Sequence, residues 1–170
     1  MKNIYGILLA VILGFSLLSQ SFANSNEILI TSVEYQEILQ FVNGDKYVGS
    51  ATNGVANGKG IYYYANGDAL AGTFINGIIN GSGIFAIQSM GMNYEGNFVN
   101  GVASGYGVLT FINKNEKYEG EFSNNTMDGK GKYYFSDGSY YEGYFMNGAP
   151  NGKGLYCSPS GKIISEGVFY

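Results

Sequence analysis

Tyr118-Glu119-Gly120-Glu121-Phe122, followed after a short break by Gly129-Lys130-Gly131-Lys132-Tyr133-Tyr134-Phe135, decides the fold of this chain. Side chains alternate across a strand, so Tyr118, Gly120 and Phe122 share one face while Glu119 and Glu121 share the other. In the second half Gly129, Gly131, Tyr133 and Phe135 lie opposite Lys130, Lys132 and Tyr134. The unit reads as two short strands with an aromatic and glycine face and a polar face, joined as an antiparallel hairpin.

The same glycine spacing recurs five times at intervals of 23 or 24 residues. The triplets are Gly49 with Gly58 and Gly60, Gly72 with Gly81 and Gly83, Gly96 with Gly105 and Gly107, Gly120 with Gly129 and Gly131, and Gly143 with Gly152 and Gly154, and a sixth copy opens at Gly167. A fixed period in this range marks a repeat array, in which each unit buries its apolar face on its neighbours. Asn53-Gly54, Asn76-Gly77, Asn100-Gly101 and Asn147-Gly148 follow the first strands and suit tight hairpin turns, while the fourth copy carries Asn124-Asn125. Asn66-Gly67 and Asp137-Gly138 follow second strands; the second and third copies have Ser89-Met90-Gly91 and Lys114-Asn115 there and are one residue longer, which calls for a wider loop. Glycine inside a strand weakens it, so its regular use needs a reason. The expectation is that each glycine is a seat for an aromatic ring from a neighbouring position, which recovers the burial a side chain would give.

Tyr-Glu-Gly-x-Phe, Asn-Gly and Gly-x-Gly-x-Tyr-x-Phe repeated in step resemble the MORN repeat (membrane occupation and recognition nexus) from about Gly44 to Tyr170. The copies at Tyr94, Tyr118 and Tyr141 match best; the first has Val48 and Ala51 where Glu and an aromatic belong, and the second has Leu70 and Ala71. The resemblance implies an all-β chain: an elongated single-layer antiparallel sheet of hairpin repeats, twisted or gently curved. It also implies scaffold and interaction roles, phospholipid binding having been proposed for such repeats. A likeness of fold does not by itself settle function.

Residues 1–23 read as a secretory signal peptide: Lys2, an apolar run from Ile4 to Leu18, and Ser21-Phe22-Ala23 before a cut after Ala23. The alternative is an uncleaved N-terminal anchor. Richness in Asn, Ile, Lys and Tyr without arginine fits an AT-rich genome, and a bacterial source would place the protein in the periplasm or outside the cell. Residues 24–43 form a cap or linker over the first sheet edge, with Ile28–Ile30 suited to a strand and Val33–Leu39 to a helix; the array occupies 44–170. The last segment, Ser165 to Tyr170, is a first strand without its partner, at an exposed edge or paired with a second copy as a homodimer.

The formal charge is −4 and the lysines are scattered, which disfavours nucleic acid and anionic head groups. Cys157 is the lone cysteine and histidine is absent, so zinc, Cys-His and Ser-His-Asp chemistry fall away, and neither metal nor cofactor is expected. Gly-x-Gly within strands and Ser160-Gly161-Lys162 are not phosphate loops, since Tyr156 stands where the first glycine of such a loop belongs. Glu95, Glu119, Glu142 and Glu166 form a row, but two strands separate successive members. At roughly 10 Å apart they are too far for a retaining glycosidase and marginal for an inverting one; cross-strand pairing with Lys130 and Lys132 is the plainer role. The aromatic stripe Tyr94, Phe98, Tyr118, Phe122, Tyr141 and Phe145 is the structural spine and the candidate ligand surface. The reading is a non-enzymatic exported scaffold that offers its sheet face to a protein partner, the alternative being a carbohydrate, cell-envelope or membrane-lipid binder that uses the stripe.

Overall fold

The computed structural model describes residues 37–170, within a unit that runs from Val33 to Tyr170. The signal-peptide reading of residues 1–23 and the strand reading of Ile28–Ile30 lie outside the described residues. Twelve strands form one open sheet whose spatial order is the sequence order, and every neighbouring pair is antiparallel. They are β1 (Glu37–Gln40), β2 (Lys46–Thr52), β3 (Val55–Tyr63), β4 (Ala69–Ile75), β5 (Ile78–Ile87), β6 (Met92–Val99), β7 (Val102–Phe111), β8 (Glu116–Ser123), β9 (Thr126–Tyr134), β10 (Tyr140–Met146), β11 (Ala149–Cys157) and β12 (Ile163–Phe169). Among the described residues no helix is long and apolar enough to cross a membrane.

The sheet starts ahead of Gly44. Glu37–Leu39, expected at the end of a helical segment, is strand: Leu39 pairs with Tyr47 as Tyr62 does from the other side, so β1 acts as the second strand of an incomplete repeat. Two adjacent apolar residues, Ile38 and Leu39, suit a strand as well as one turn of helix, and the waiting edge of β2 decides the outcome.

Asparagine and glycine close the hairpins with positive φ at both central positions, as at Asn53 (51°) and Gly54 (75°). Asn124 and Asn125 keep the same geometry (50° and 66°), so the departure from Asn-Gly changes the residue and not the turn. The four turns after the first are latched to the preceding repeat: the N–H of Gly77, Gly101, Asn125 and Gly148 donates to the carbonyl of Ala56, Ile79, Ala103 and Met127 at 2.8–3.1 Å. The second and third copies insert short 3-10 turns, Gln88–Met90 and Ile112–Lys114, each ended by a left-handed residue, Gly91 or Asn115.

A bulge breaks the register of every complete hairpin at one place. Between the pairs Gly120–Gly131 and Phe122–Met127, Glu121 alone stands against Asp128, Gly129 and Lys130. The middle glycine of each triplet lies in this bulge, which corrects the expectation that every glycine seats a ring. Gly58, Gly81, Gly105, Gly129 and Gly152 have φ between +78° and +116°, a conformation that L side chains rarely adopt.

Candidate interaction surface

The first and third glycines of each triplet pair across the hairpin, as Gly120 with Gly131, and in four of the five a tyrosine two residues before the first covers both. Tyr47, Tyr94, Tyr118 and Tyr141 lie over Gly49 and Gly60, Gly96 and Gly107, Gly120 and Gly131, and Gly143 and Gly154. Each ring then reaches along its own strand into the bulge. The hydroxyls donate to the carbonyls of Ser50, Asn97, Glu121 and Tyr144 at 2.9–3.2 Å, in each case the residue skipped by the register shift. A buried hydroxyl and a carbonyl next to irregular pairing thus satisfy each other. Burial pushes the phenol of Tyr94 up to about 12 and raises that of Tyr118 further.

Phenylalanines lock these rings edge to face. Tyr118 meets Phe122 of its own strand at 5.3 Å between centroids and Phe145 of the next repeat at 4.8 Å, and Tyr94 meets Phe98 and Phe122 in the same way. Tyr141 contacts Phe145 at 5.2 Å and Phe169 at 5.0 Å, so the incomplete last copy still supplies its ring. The second repeat carries Leu70 in place of tyrosine, and there the Cδ1 of Ile79 takes the position over Gly72 and Gly83. The other copies have Ala56, Ala103, Met127 and Pro150 where Ile79 stands, so the branched side chain appears where the ring is missing.

This packing corrects the candidate ligand surface. Tyr94, Phe98, Tyr118, Phe122, Tyr141 and Phe145 are 0–5 % exposed, because each tyrosine covers glycine backbone, Phe122 and Phe145 each stand between two tyrosines, and Phe98 lies between Tyr94 and the glycine pair of the second repeat. A sugar or a lipid has no ring face to stack on at these six positions.

On the same face as the spine a set of less buried rings lies along the second strands and the turns that follow them, beyond the glycine pair, while Tyr106 and Tyr144 are exposed on the opposite face. Tyr62 pairs with Tyr47 and Tyr133 with Tyr118, one step along the sheet from the spine and towards the loop edge. Phe41, Tyr62, Tyr64 and Phe85 follow one another at centroid separations of 5.5, 4.8 and 5.8 Å. Phe111, Tyr133, Phe135 and Tyr156 repeat the pattern at 5.8, 5.0 and 5.6 Å, with Leu109 packed between the two rows. Seven of these eight rings are half-buried and Phe41 is exposed. Sequence reasoning passed over them because the tyrosine of Tyr-Glu-Gly-x-Phe is the more regular signal. The signal that marks them is a polar residue two places before four of the five spine positions: Asp45, Asp68, Glu116 and Ser139.

Those polar residues bind the ladder's hydroxyls. Tyr62 donates to Asp45 Oδ2 at 2.8 Å and Tyr133 to Glu116 Oε2 at 2.6 Å, while the Ser139 and Tyr156 hydroxyls are 2.9 Å apart. In the third repeat both partners turn apolar together, Met92 and Leu109. In the second repeat Phe85 has no hydroxyl, and Asp68 accepts from the N–H and Oγ of Ser89 at 3.2 Å instead. The N–H of Ala65 and then the Tyr62 hydroxyl hold Asp45 below its ordinary value. Burial pushes Asp68 upward, but the donors of Ser89 and Asn66 outweigh it and the net shift is downward. The phenol of Tyr62 rises to about 12, mainly through burial and then through the bond to Asp45.

The opposite face carries the glutamate row. Cross-strand neighbours run Glu95, Val108, Glu119, Lys132, Glu142, Leu155 and Glu166, so a strand stands between successive glutamates. Lys132 pairs with Glu142 at 3.3 Å, whereas Glu119 takes Lys117 of its own strand at 2.6 Å. Lys132 also lies 3.7 Å from the Tyr140 ring centroid. Glu95 has Ile84 and Val108 beside it in place of a lysine, and desolvation raises its pKa although it remains exposed in area. Among the described residues no group of His, Cys, Asp and Glu is placed to hold a metal ion. Cys157 is buried on this face, opposite Tyr140.

Comparison with solved structures finds a single-residue mutant of the TCP10 domain of Danio rerio CPAP, with 16% sequence identity, a TM-score of 0.51, and coverage of 81% of this chain and 64% of that chain. The likeness is one of fold, and the chain spans under two thirds of that domain's length. The SAS-4 (dCPAP) TCP domain of Drosophila melanogaster, in complex with a proline-rich motif of Ana2 (dSTIL), aligns with a TM-score of 0.36 and 13% identity over 86% of this chain and 94% of that one. No curated protein matches the sequence. The MORN repeat model matches residues 47–69, 71–87, 94–116, 118–140 and 141–163. With five matched copies that cover more than half of its length, in step with the hairpins of the sheet, the chain belongs to the MORN repeat family.

Proposed function

We propose that the chain is a non-enzymatic, exported interaction scaffold that docks a segment of another protein along the aromatic ladder of its second strands. The observation that carries this reading is the division of labour among the rings. The spine is buried to 0–5 %, while the ladder keeps eight rings at regular separations with their faces partly open. Regular, partly exposed aromatic surface on a rigid sheet offers large contact area at little cost in side-chain entropy. Export rests on the apolar run and small-residue cut site of residues 1–23.

The test is affinity capture from the protein's own cells with the tagged chain and with a Tyr64→Ala, Phe135→Ala variant. Neither side chain makes a hydrogen bond in the sheet, so truncation removes ring surface without leaving a polar orphan. A protein retained by the natural chain and lost by a variant that still melts cooperatively supports the reading. Equal retention by both contradicts it.

A further inference from the structure

Carboxylates border the ladder, and most of the lysines stand on the other face. Asp45, Asp68 and Glu116 each stand two residues before a spine position, and Asp137 lies in the next loop along the same edge. Two of them touch ladder rings through the hydroxyls of Tyr62 and Tyr133, and the charges of Asp45 and Asp68 are both felt by Tyr64. Their other partners are neutral donors such as the N–H groups of Ala65, Ser89 and Ser139. Among the described residues none of the four lies within ion-pair reach of a lysine. Lys46, Lys59, Lys117, Lys130, Lys132 and Lys153 stand on the opposite face, which leaves Lys114 and Lys162 at the ladder's edge. Lys114 already shows what the surface accepts: its Nζ lies 5.7 Å from the centroid of the Phe111 ring.

We infer that the protein segment taken by the ladder is extended and basic, its Lys or Arg groups set on Asp45, Glu116 and the ring faces between them, while the buried Asp68 adds its charge without contact. This rests on the docking function proposed above and adds the chemistry of the partner. A carboxylate already ordered by neutral donors gives a cation a charge-assisted hydrogen bond at little further ordering cost. An adjacent ring face adds a cation–π contact, to which a guanidinium is well suited. Spacing also fits an extended chain. Side chains on one face of a polyproline segment recur every third residue, about 9 Å apart, or roughly two of the 4.8–5.8 Å steps between successive rings.

The experiment titrates the purified chain into labelled repeat peptides Pro-Pro-Arg, Pro-Pro-Gln and Pro-Pro-Glu and reads fluorescence anisotropy at low and high salt. The Arg peptide is expected to bind at least tenfold more tightly than the Glu peptide, with the gap narrowing in high salt. Glu116→Gln keeps an acceptor for Tyr133 and Asp45→Asn keeps one of the two that serve Tyr62 and Ala65, and each should weaken the Arg peptide by about two- to fivefold and the Gln peptide by less. Tyr64→Ala should weaken both. Equal binding of the Arg and Glu peptides, lost on Tyr64→Ala, would overturn the basic-partner inference and leave the ladder standing. Absence of binding to all three, or binding indifferent to Tyr64→Ala, overturns the inference and the docking of an extended segment on the ladder together.

Discussion

Tyr118 lies across Gly131 of the adjacent strand so closely that its Cζ is 2.5 Å from the place a Cβ on that glycine would take, while its hydroxyl reaches the Glu121 carbonyl at 2.9 Å. The glycine is therefore small for the sake of the ring. Gly131→Ala or Val is expected to push Tyr118 off its position at a cost of about 1–3 kcal/mol, seen as a fall of several degrees in melting temperature. Gly167→Ala is the control, because nothing lies within 4 Å of its missing side chain and its φ is ordinary. Equal melting temperatures for the natural chain and both variants would refute the seating of rings on glycine.

Removing the hydroxyl alone isolates the bulge bond. Tyr118→Phe keeps the ring between Phe122 and Phe145 and leaves the Glu121 carbonyl without its side-chain donor. Urea denaturation should show a loss of about 1 kcal/mol with an unchanged m-value.

Leu70 and Ile79 form one solution to covering Gly72 and Gly83, and tyrosine with a small residue forms the other. Ile79→Ala alone should cost about 2–5 kcal/mol by opening the space over both glycines. Leu70→Tyr alone should also destabilise, since its ring meets Ile79. The double variant Leu70→Tyr, Ile79→Ala should recover much of the loss, with a coupling of about 0.5–3 kcal/mol. Additive losses would mean that the two sites are independent.

Alkaline pH should dismantle the spine. Burial raises the phenols of Tyr94 and, with help from Asp45, Tyr62 to about 12, above an unfolded value near 10. Such groups favour the folded state fully below the unfolded value, and the advantage is lost as pH climbs through the folded one. Melting temperature should therefore be flat up to about pH 10 and fall steeply towards 12, with tyrosinate absorbance at 295 nm rising at the same pH as unfolding. A tyrosinate signal from the intact fold near pH 10 as large as that of the unfolded chain would contradict the burial of the spine.

The sheet was legible because a period of 23 or 24 and alternation within each half leave few arrangements open. The bulge was not, since alternation alone assigns Gly129 to the same face as Gly131; only the positive φ of Gly129 shows that it does not serve as a seat. The site was misread for a related reason. Tyr118 and Phe122 recur more regularly than Tyr133 and Phe135, and regularity in a repeat tracks the packing that every copy shares. What a partner can touch lies where burial is incomplete, and burial depends on which ring lies flat on glycine, a property of three dimensions. The joint change of Asp45 with Tyr62 into Met92 with Leu109 was present in the sequence, but it becomes visible only once strand register puts the two positions side by side.

The measurement that bears most directly on the ladder as a docking surface is photo-crosslinking in the native cell, with a benzophenone amino acid placed at Tyr64 or Phe135 on the ladder and at Tyr106 or Lys153 on the opposite face. Crosslinks to a protein partner from the two ladder positions, and none from the other two, are the expected result. Crosslinks from Tyr106 or Lys153 with silence at Tyr64 and Phe135 would put the working surface on the other side of the sheet and contradict docking on the ladder.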